Sequence, residues 1–234
     1  MSPVSRTAPE QPVLTPLYLL VTVLFVACLI AANITATKII EPWGIAMDAG
    51  TLVFPVSYIL GDVLTEVYGF RAARRVIWLG FLANLLVVAA IVVAGLVPPA
   101  SFWDGQAAYE QILGFTPRIL AASFCAYLVG ELANSVVLAK LKVATGGRHL
   151  WLRTIGSTLV GQGLDSLIFV TLAFSGVIPL DAMLTMIVTQ WLVKSAYEAL
   201  ATPVTYGVVG WLKEREGIDV FDRETRFNPL PVAD

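Results

Sequence analysis

A soluble chain of 234 residues carries about a quarter charged side chains, but this one carries 14%, is 57% hydrophobic and has a mean hydropathy of +0.78. So little polar surface excludes an ordinary water-soluble fold and makes lipid the solvent. With a formal net charge of −2 and no segregated Lys/Arg run, direct nucleic-acid binding is excluded too.

Apolar segments of about the 20 residues that cross a bilayer core fall at 16–38, 49–69, 74–97, 118–140, 154–177 and 182–211. The first follows fifteen residues with a single base, Arg6, and has no small-residue cleavage site at the right distance, so it reads as a retained helix rather than a cleaved signal. Pro55 predicts an irregularity in the second span. The length of the sixth, with Pro203 inside it, predicts a tilt or a bend. Residues 97–117, with Pro98, Pro99, Trp103 and Tyr109, read as one outer loop of interfacial character. The chain divides into a tail at 1–15, a six-helix transmembrane domain at 16–212 and a tail at 213–234: an all-α polytopic membrane protein.

Cytoplasmic loops accumulate Lys and Arg. With the N-terminus inside, that side collects Arg6, Arg71, Arg74, Arg75, Lys140, Lys142, Arg148, Arg153, Lys213, Arg215, Arg223 and Arg226, which is 12 of the 15 bases. Lys38 and Arg118 flank spans on the outer side, and Lys194 lies within a span. Both termini are therefore expected in the cytoplasm. Cys28 and Cys125 sit in apolar stretches and predict neither disulfide nor metal site. His149, the sole histidine, has no neighbour at ligand spacing and reads as a loop residue. A rhomboid-type protease, which also suits six spans, lacks its Ser-His pair in the membrane. Neither catalytic residues nor a cofactor are predicted.

Five carboxylates and one ammonium fall inside the spans: Asp62, Glu66, Glu131, Asp165, Glu198 and Lys194. Each costs about 2.5–3.5 kcal/mol at a helix centre if it faces lipid. Their spacing groups them: Tyr58, Asp62 and Glu66 on span two; Tyr127, Glu131 and Asn134 on span four; Gln162, Asp165 and Ser166 on span five; Gln190, Lys194, Tyr197 and Glu198 on span six. At 1.5 Å per residue, Asp62 and Glu131 lie about 13 Å from their basic flanks, Asp165 about 18 Å and Glu198 about 22 Å. Asn33 approaches from the outer end of span one. Helix glue explains Asn84, Glu66 is close enough to the interface to snorkel to water, and Lys194 is spaced to neutralise Glu198. The remaining surplus of acids calls for a positive or donor-rich partner. One answer is a ligand with adjacent N–H donors, held by a carboxylate through two parallel hydrogen bonds; another is protons that couple a gradient to movement.

The stretches FPVSYILGDVLTEVYGFRAARR (54–75), GELANSVVLAKLK (130–142), RTIGSTLVGQGLDSLIF (153–169) and QWLVKSAYEALATPVTY (190–206), with AANITATK at 31–38, resemble the queuosine precursor transporter family, also grouped as a vitamin uptake family of integral membrane proteins. The resemblance implies uptake of 7-cyano-7-deazaguanine and 7-aminomethyl-7-deazaguanine across the bacterial inner membrane, for salvage into tRNA modification. It also implies a six-helix architecture similar to the substrate-binding component of energy-coupling-factor importers. Gln162 departs from the family pattern, where Glu is expected.

On this reading the substrate-binding candidates are Asn33, Tyr58, Asp62, Tyr127, Glu131, Asn134, Gln162, Asp165, Lys194, Tyr197 and Glu198. Asp165 and Glu131 clamp the donor edge, and Gln162 and Asn134 meet a carbonyl and ring nitrogen. The tyrosines stack on a flat heterocycle, Lys194 locks Glu198, and Asp62 marks the cytoplasmic exit. The implied partners are the deazaguanine, membrane lipid and, where chains assemble, a homo-oligomer. A solitary secondary carrier is favoured over a component that needs an energy-coupling ATPase module.

Overall fold

The computed structural model describes residues 14–40, 47–114, 117–177 and 179–230. The expected N-terminal tail, with Arg6, lies outside the described residues except for its last two. Thr15 caps the first helix, its hydroxyl accepting from the Tyr18 amide at 3.1 Å, and Pro16 sits in the first turn, where its missing N–H costs nothing. The elements are α1 (Pro16–Thr35), a two-residue antiparallel pairing of β1 (Ile39–Ile40) with β2 (Met47–Asp48), α2 (Phe54–Tyr68), α3 (Phe70–Leu96), α4 (Gln106–Leu113), α5 (Pro117–Ala144), α6 (Leu150–Phe174) and α7 (Leu180–Glu216). Apart from the short pairing, the regular structure is helical.

Among the described residues, four helices are long and apolar enough to cross a membrane: α1, α3, α5 over Ala121–Ala144, and α6. Their exposed faces are apolar, with Leu20, Val23, Leu82, Leu86, Val129, Leu159 and Leu167 each more than 40% exposed, while Asp62, Glu66, Glu131, Asn134 and Gln162 are buried. Polar-inside and apolar-outside is the arrangement that lipid selects. Helix α2 has 15 residues, about 22 Å at the helical rise, and eleven of them are buried among α1, α3, α5 and α7. Its carboxylates are possible because protein, not lipid, surrounds it. Helix α7, at 37 residues, carries Lys194 and Glu198 near its middle.

The irregularity foreseen at Pro55 takes the form of a 3-10 turn over Ala49–Leu52, with Pro55 in the first turn of α2. Helix α7 runs through Pro203. The loop between α3 and α5 contains α4, which buries none of its residues and is tied back to α3 by Gln106 Nε2 donating to Gly95 O at 3.1 Å and Tyr109 Oη donating to Ile91 O at 2.8 Å. Nothing in that polar stretch of sequence marks a helix, because periodicity is weak over eight residues.

Helices α5 and α6 form the most extensive pairing in the molecule, and they cross at Gly130 and Gly161. A Cβ on Gly130 would stand 3.0 Å from Gly161 O and 2.9 Å from Tyr58 Oη, and one on Gly161 would stand 2.7 Å from Asn134 Cβ. Small residues let the two backbones close, as in other membrane helix pairs.

At one end of the bundle Glu66 is 1% exposed and does not reach water. Arg153 donates to it twice, from Nε at 3.1 Å and Nη2 at 2.7 Å; Lys213 Nζ lies at 2.7 Å and Lys142 Nζ at 3.7 Å. The snorkelling reading of Glu66 is thus corrected. Lys142 and Arg153, counted from sequence as loop and flank bases, are both 1% exposed and act as internal counter-charges. Lys142 also donates to the Glu66 carbonyl, to Val220 O at 2.6 Å and to Asp219 Oδ1 at 2.6 Å. These bonds begin a strap. Val220 N–H donates to Val67 O at 3.1 Å, the Phe70 amide donates to Asp222 Oδ2 at 3.0 Å, Arg74 Nη1 donates to Asn228 O at 2.7 Å and Trp78 Nε1 donates to Pro229 O at 2.8 Å. The segment after α7 therefore lies across the α2–α3 turn.

Removing one partner from a buried ion network costs about 3–5 kcal/mol. Glu66→Gln, which removes the carboxylate that Arg153, Lys142 and Lys213 share, is expected to lose stability of that order, read as a lowered unfolding temperature in detergent. Burial works to raise the Asp219 carboxyl, but Lys142 and Lys213 outweigh it and hold the group below its ordinary 3.8. Its stabilising contribution is present above that value and lost as pH falls through the lower folded one. Hydrogen exchange of residues 219–229 is expected to rise only below about pH 4, and Asp219→Asn to show the same loosening at neutral pH.

Candidate functional site

One turn from Glu66 the polar side chains of α2, α5, α6 and α7 converge. Asp62 is 1% exposed and accepts from Asn134 Nδ2 at 2.7 Å through Oδ1, which fixes the amide with its oxygen facing the cluster. Glu131 comes from α5, one turn of helix away from Asn134 and Ser135, and its Oε1 presses against Gly61, where any Cβ would overlap it. It lies within electrostatic range of Glu198 and Asp165. Tyr58, 0% exposed, faces Asp165, Glu131 and Glu198. Gln162 on α6 is 0% exposed.

Much of this cluster is unpaired. Tyr58 Oη, Asp62 Oδ2, both oxygens of Glu131, Asn134 Oδ1, both amide atoms of Gln162 and both oxygens of Glu198 have no hydrogen-bond partner among the described residues. An orphaned buried polar atom costs about 1–3 kcal/mol, and native proteins keep few of them. Nine such atoms on four helices are an arrangement suited to a ligand with both donors and acceptors.

Asp165 and Lys194 are not part of the orphaned set. Lys194 Nζ lies 2.7 Å from Asp165 Oδ2 and 4.9 Å above the Phe54 ring. The expected Lys194–Glu198 pair is thereby corrected: a Lys placed four residues before a Glu is the less favourable order on a helix, and Lys194 reaches across to α6 while Glu198 turns inward to Asp62 and Thr158. With Glu66 matched at the bundle end and Asp165 matched by Lys194, the surplus of acid shrinks to Asp62, Glu131 and Glu198. Phe54, which sequence reasoning passed over, packs on Tyr58 with ring centroids 5.3 Å apart and makes an aromatic wall beside Lys194.

Three candidates stand apart. Tyr127 is buried but spends its hydroxyl on Ile77 O at 2.9 Å. Asn33 donates to Leu29 O of its own helix at 3.1 Å, and Tyr197 is 39% exposed on the outer surface. The structure also adds Thr158 and Ser195, buried hydroxyls that, like Ser166 grouped above with Gln162 and Asp165, have no partner among the described residues. Hydroxyls are common in membrane helices, and nothing in their spacing distinguishes these from their neighbours. His149 is an exposed turn residue before α6.

The family described as "Putative vitamin uptake transporter" matches residues 48–208. The chain belongs to this transporter family. It is a family of transporters and not of enzymes. Among its relatives, the "Probable queuosine precursor transporter" of Bacillus subtilis (strain 168) is 33% identical over 180 residues, 76% of this chain and 78% of that protein. The "Queuosine precursor transporter" of Escherichia coli (strain K12) is 32% identical over 125 residues, 53% of this chain and 54% of that protein. A protein of Haemophilus influenzae, also named "Probable queuosine precursor transporter", is 27% identical over 145 residues. No solved structure matches the chain. The family match begins just before α2 and ends within α7, so this multi-pass membrane transporter carries its whole polar cluster inside the shared region.

Lys194→Met leaves Asp165 buried without its counter-charge and is expected to destabilise the protein by about 3 kcal/mol, whereas Lys194→Met with Asp165→Asn recovers most of that loss. Thermal unfolding of the two variants in detergent checks this, and the pairing is contradicted if the double variant is no more stable than the single one.

Proposed function

We propose that the chain is an importer of queuosine precursors, 7-cyano-7-deazaguanine and its aminomethyl relative, acting as a secondary carrier in the bacterial inner membrane with both termini cytoplasmic. The orphaned set on α2, α5, α6 and α7 supports it most directly, together with the printed function of the relatives. A 7-deazaguanine presents two neighbouring N–H donors, a carbonyl acceptor and a flat face. Glu131, with both oxygens unpaired, takes the two donors in parallel. Gln162 offers the mixed donor and acceptor that a carbonyl and ring N–H require, and Asn134 Oδ1 a further acceptor. Tyr58 and Phe54 supply the stacking wall. Asp165 serves in its pair with Lys194, which places a positive charge beside that wall.

In this reading six helices cross, with α2 shielded by its neighbours and α7 making the sixth passage, an architecture similar to the binding component of energy-coupling-factor importers. Outside the buried networks, Arg75, Lys140, Arg148, Arg215, Arg223 and Arg226 fall on the cytoplasmic side of this topology, and Lys38 and Arg118 on the other.

A carboxylate with two orphaned oxygens is a stability cost that binding offsets. Glu131→Gln is therefore expected to leave thermal stability unchanged or raised while precursor affinity falls about tenfold or more, the loss of a charge-assisted pair. The check is uptake of 7-cyano-7-deazaguanine by cells unable to make it, and by the purified protein alone in liposomes. Undiminished uptake by well-expressed Glu131→Gln would overturn the site, and uptake that requires an added ATPase module would overturn the solitary carrier.

A further inference from the structure

Two of the three unmatched acids are neighbours. The Asp62 and Glu198 carboxyls, from α2 and α7, lie within hydrogen-bonding reach of each other, and Thr158 on α6 presents its hydroxyl to Glu198. With both acids written as anions there is no donor between them, and Asp62 Oδ2 and both Glu198 oxygens are unpaired. The other Asp62 oxygen is already held by Asn134.

Thr158 is the informative neighbour. Buried hydroxyls on these helices ordinarily donate to a carbonyl three or four residues back: Thr65 to Gly61, Thr154 to Leu150, Ser157 to Thr154, Thr202 to Glu198 and Thr205 to Ala201. Thr158, 1% exposed, makes no such bond. Its donor is left for the Glu198 carboxyl. The result is a series of neighbouring groups on four helices, Asn134, Asp62, Glu198 and Thr158, in which Asn134 already donates to Asp62 while Asp62 Oδ2, both Glu198 oxygens and the Thr158 hydroxyl are without partners among the described residues.

We infer that Asp62 and Glu198 form a proton-binding site, distinct from the donor-edge site at Glu131, in which one exchangeable proton is shared between the two carboxyls and coupled to transport. The direction of coupling rests on the carrier reading above; the site itself does not. With the proton bound the pair carries one negative charge and α2 is joined to α7. When it leaves as H⁺ to water the pair carries two, and the contact becomes repulsive. The O–H bond is the only bond made or broken. The charged and titratable groups facing the pair are Glu131 from α5, Tyr58 from α2 and, through Glu131 and Tyr58, Asp165 of α6 with its partner Lys194 of α7. On the α1 side the nearest group at Gly61 is the Phe25 ring. With Asp165 matched, no ion pair among the described residues neutralises Asp62 or Glu198. That makes a proton the simplest counter-charge.

The test uses the full protein in lipid and needs no substrate for its first arm. Dicyclohexylcarbodiimide adds to a protonated carboxyl in an apolar setting and leaves a stable N-acylurea that mass spectrometry can place. Labelling is expected at Glu198 or Asp62, falling as external pH is raised, and lost from the pair in Asp62→Asn with Glu198→Gln. Label placed only on Glu131, or on neither acid, overturns the inference. The second arm compares proton-gradient-driven uptake of 7-cyano-7-deazaguanine with its equilibrium exchange in liposomes. Glu198→Gln, whose amide supplies the missing donor permanently, is expected to lower the ratio of the two about tenfold or more, and an unchanged ratio overturns it. If wild-type protein exchanges no deazapurine while the label still falls on the pair, the substrate reading fails and the proton site stands.

Discussion

Burying the Glu66 carboxylate obliges four helices to meet at one level. Arg153 approaches from α6, Lys142 from α5 and Lys213 from the last turn of α7, and together they supply the counter-charge of a Glu66 that is 1% exposed. Charges removed from solvent are tolerable only when paired with good geometry, so the length and rotation of each helix are constrained by this contact. The next turn of α2 then sets Asp62, and the one beyond it Tyr58, against α5, α6 and α7. The clamp and the polar cluster are successive layers of one helix, and the strap from Asp219 to Pro229 closes the same end.

The two layers differ in how their polar atoms are used. Around Glu66 every named cation has several acceptors, and Lys142 alone has three. Around Glu131, Gln162 and Glu198 the atoms are buried yet unpaired. A fold that satisfies one layer and leaves the other wanting is consistent with a division of labour: the first holds the helices and the second is kept for what passes through them. Stability spent at a binding site and offset elsewhere is a general pattern.

Lipid-facing periodicity made α1, α3, α5 and α6 plain in the sequence, because hydropathy over twenty residues is a strong signal. Helix α4 and the β1–β2 pairing were hidden by their brevity. The charged positions were legible as a group but not as pairs. Lys142 and Arg153 sit where the positive-inside rule expects bases, and the rule counts position without regard to partner, so their role as counter-charges to Glu66 was invisible. Lys194 stands four residues from Glu198 on the same helix, yet its partner Asp165 is on another. Thr158 looks like any helix threonine until its missing back-bond is seen. Contacts between helices far apart in sequence carry most of the site, and helical spacing alone cannot supply them.

In the proposed function the orphaned layer is a receptor for a guanine-like edge. The most direct measurement is thermal unfolding of the purified protein against a panel of 7-cyano-7-deazaguanine, 7-aminomethyl-7-deazaguanine, guanine and biotin-like vitamins. Ligand at a hundred times its Kd stabilises the native state by about 2.7 kcal/mol. An upward shift with the deazaguanines that Glu131→Gln abolishes is expected, and a shift with vitamins but with no deazapurine would contradict the proposed function.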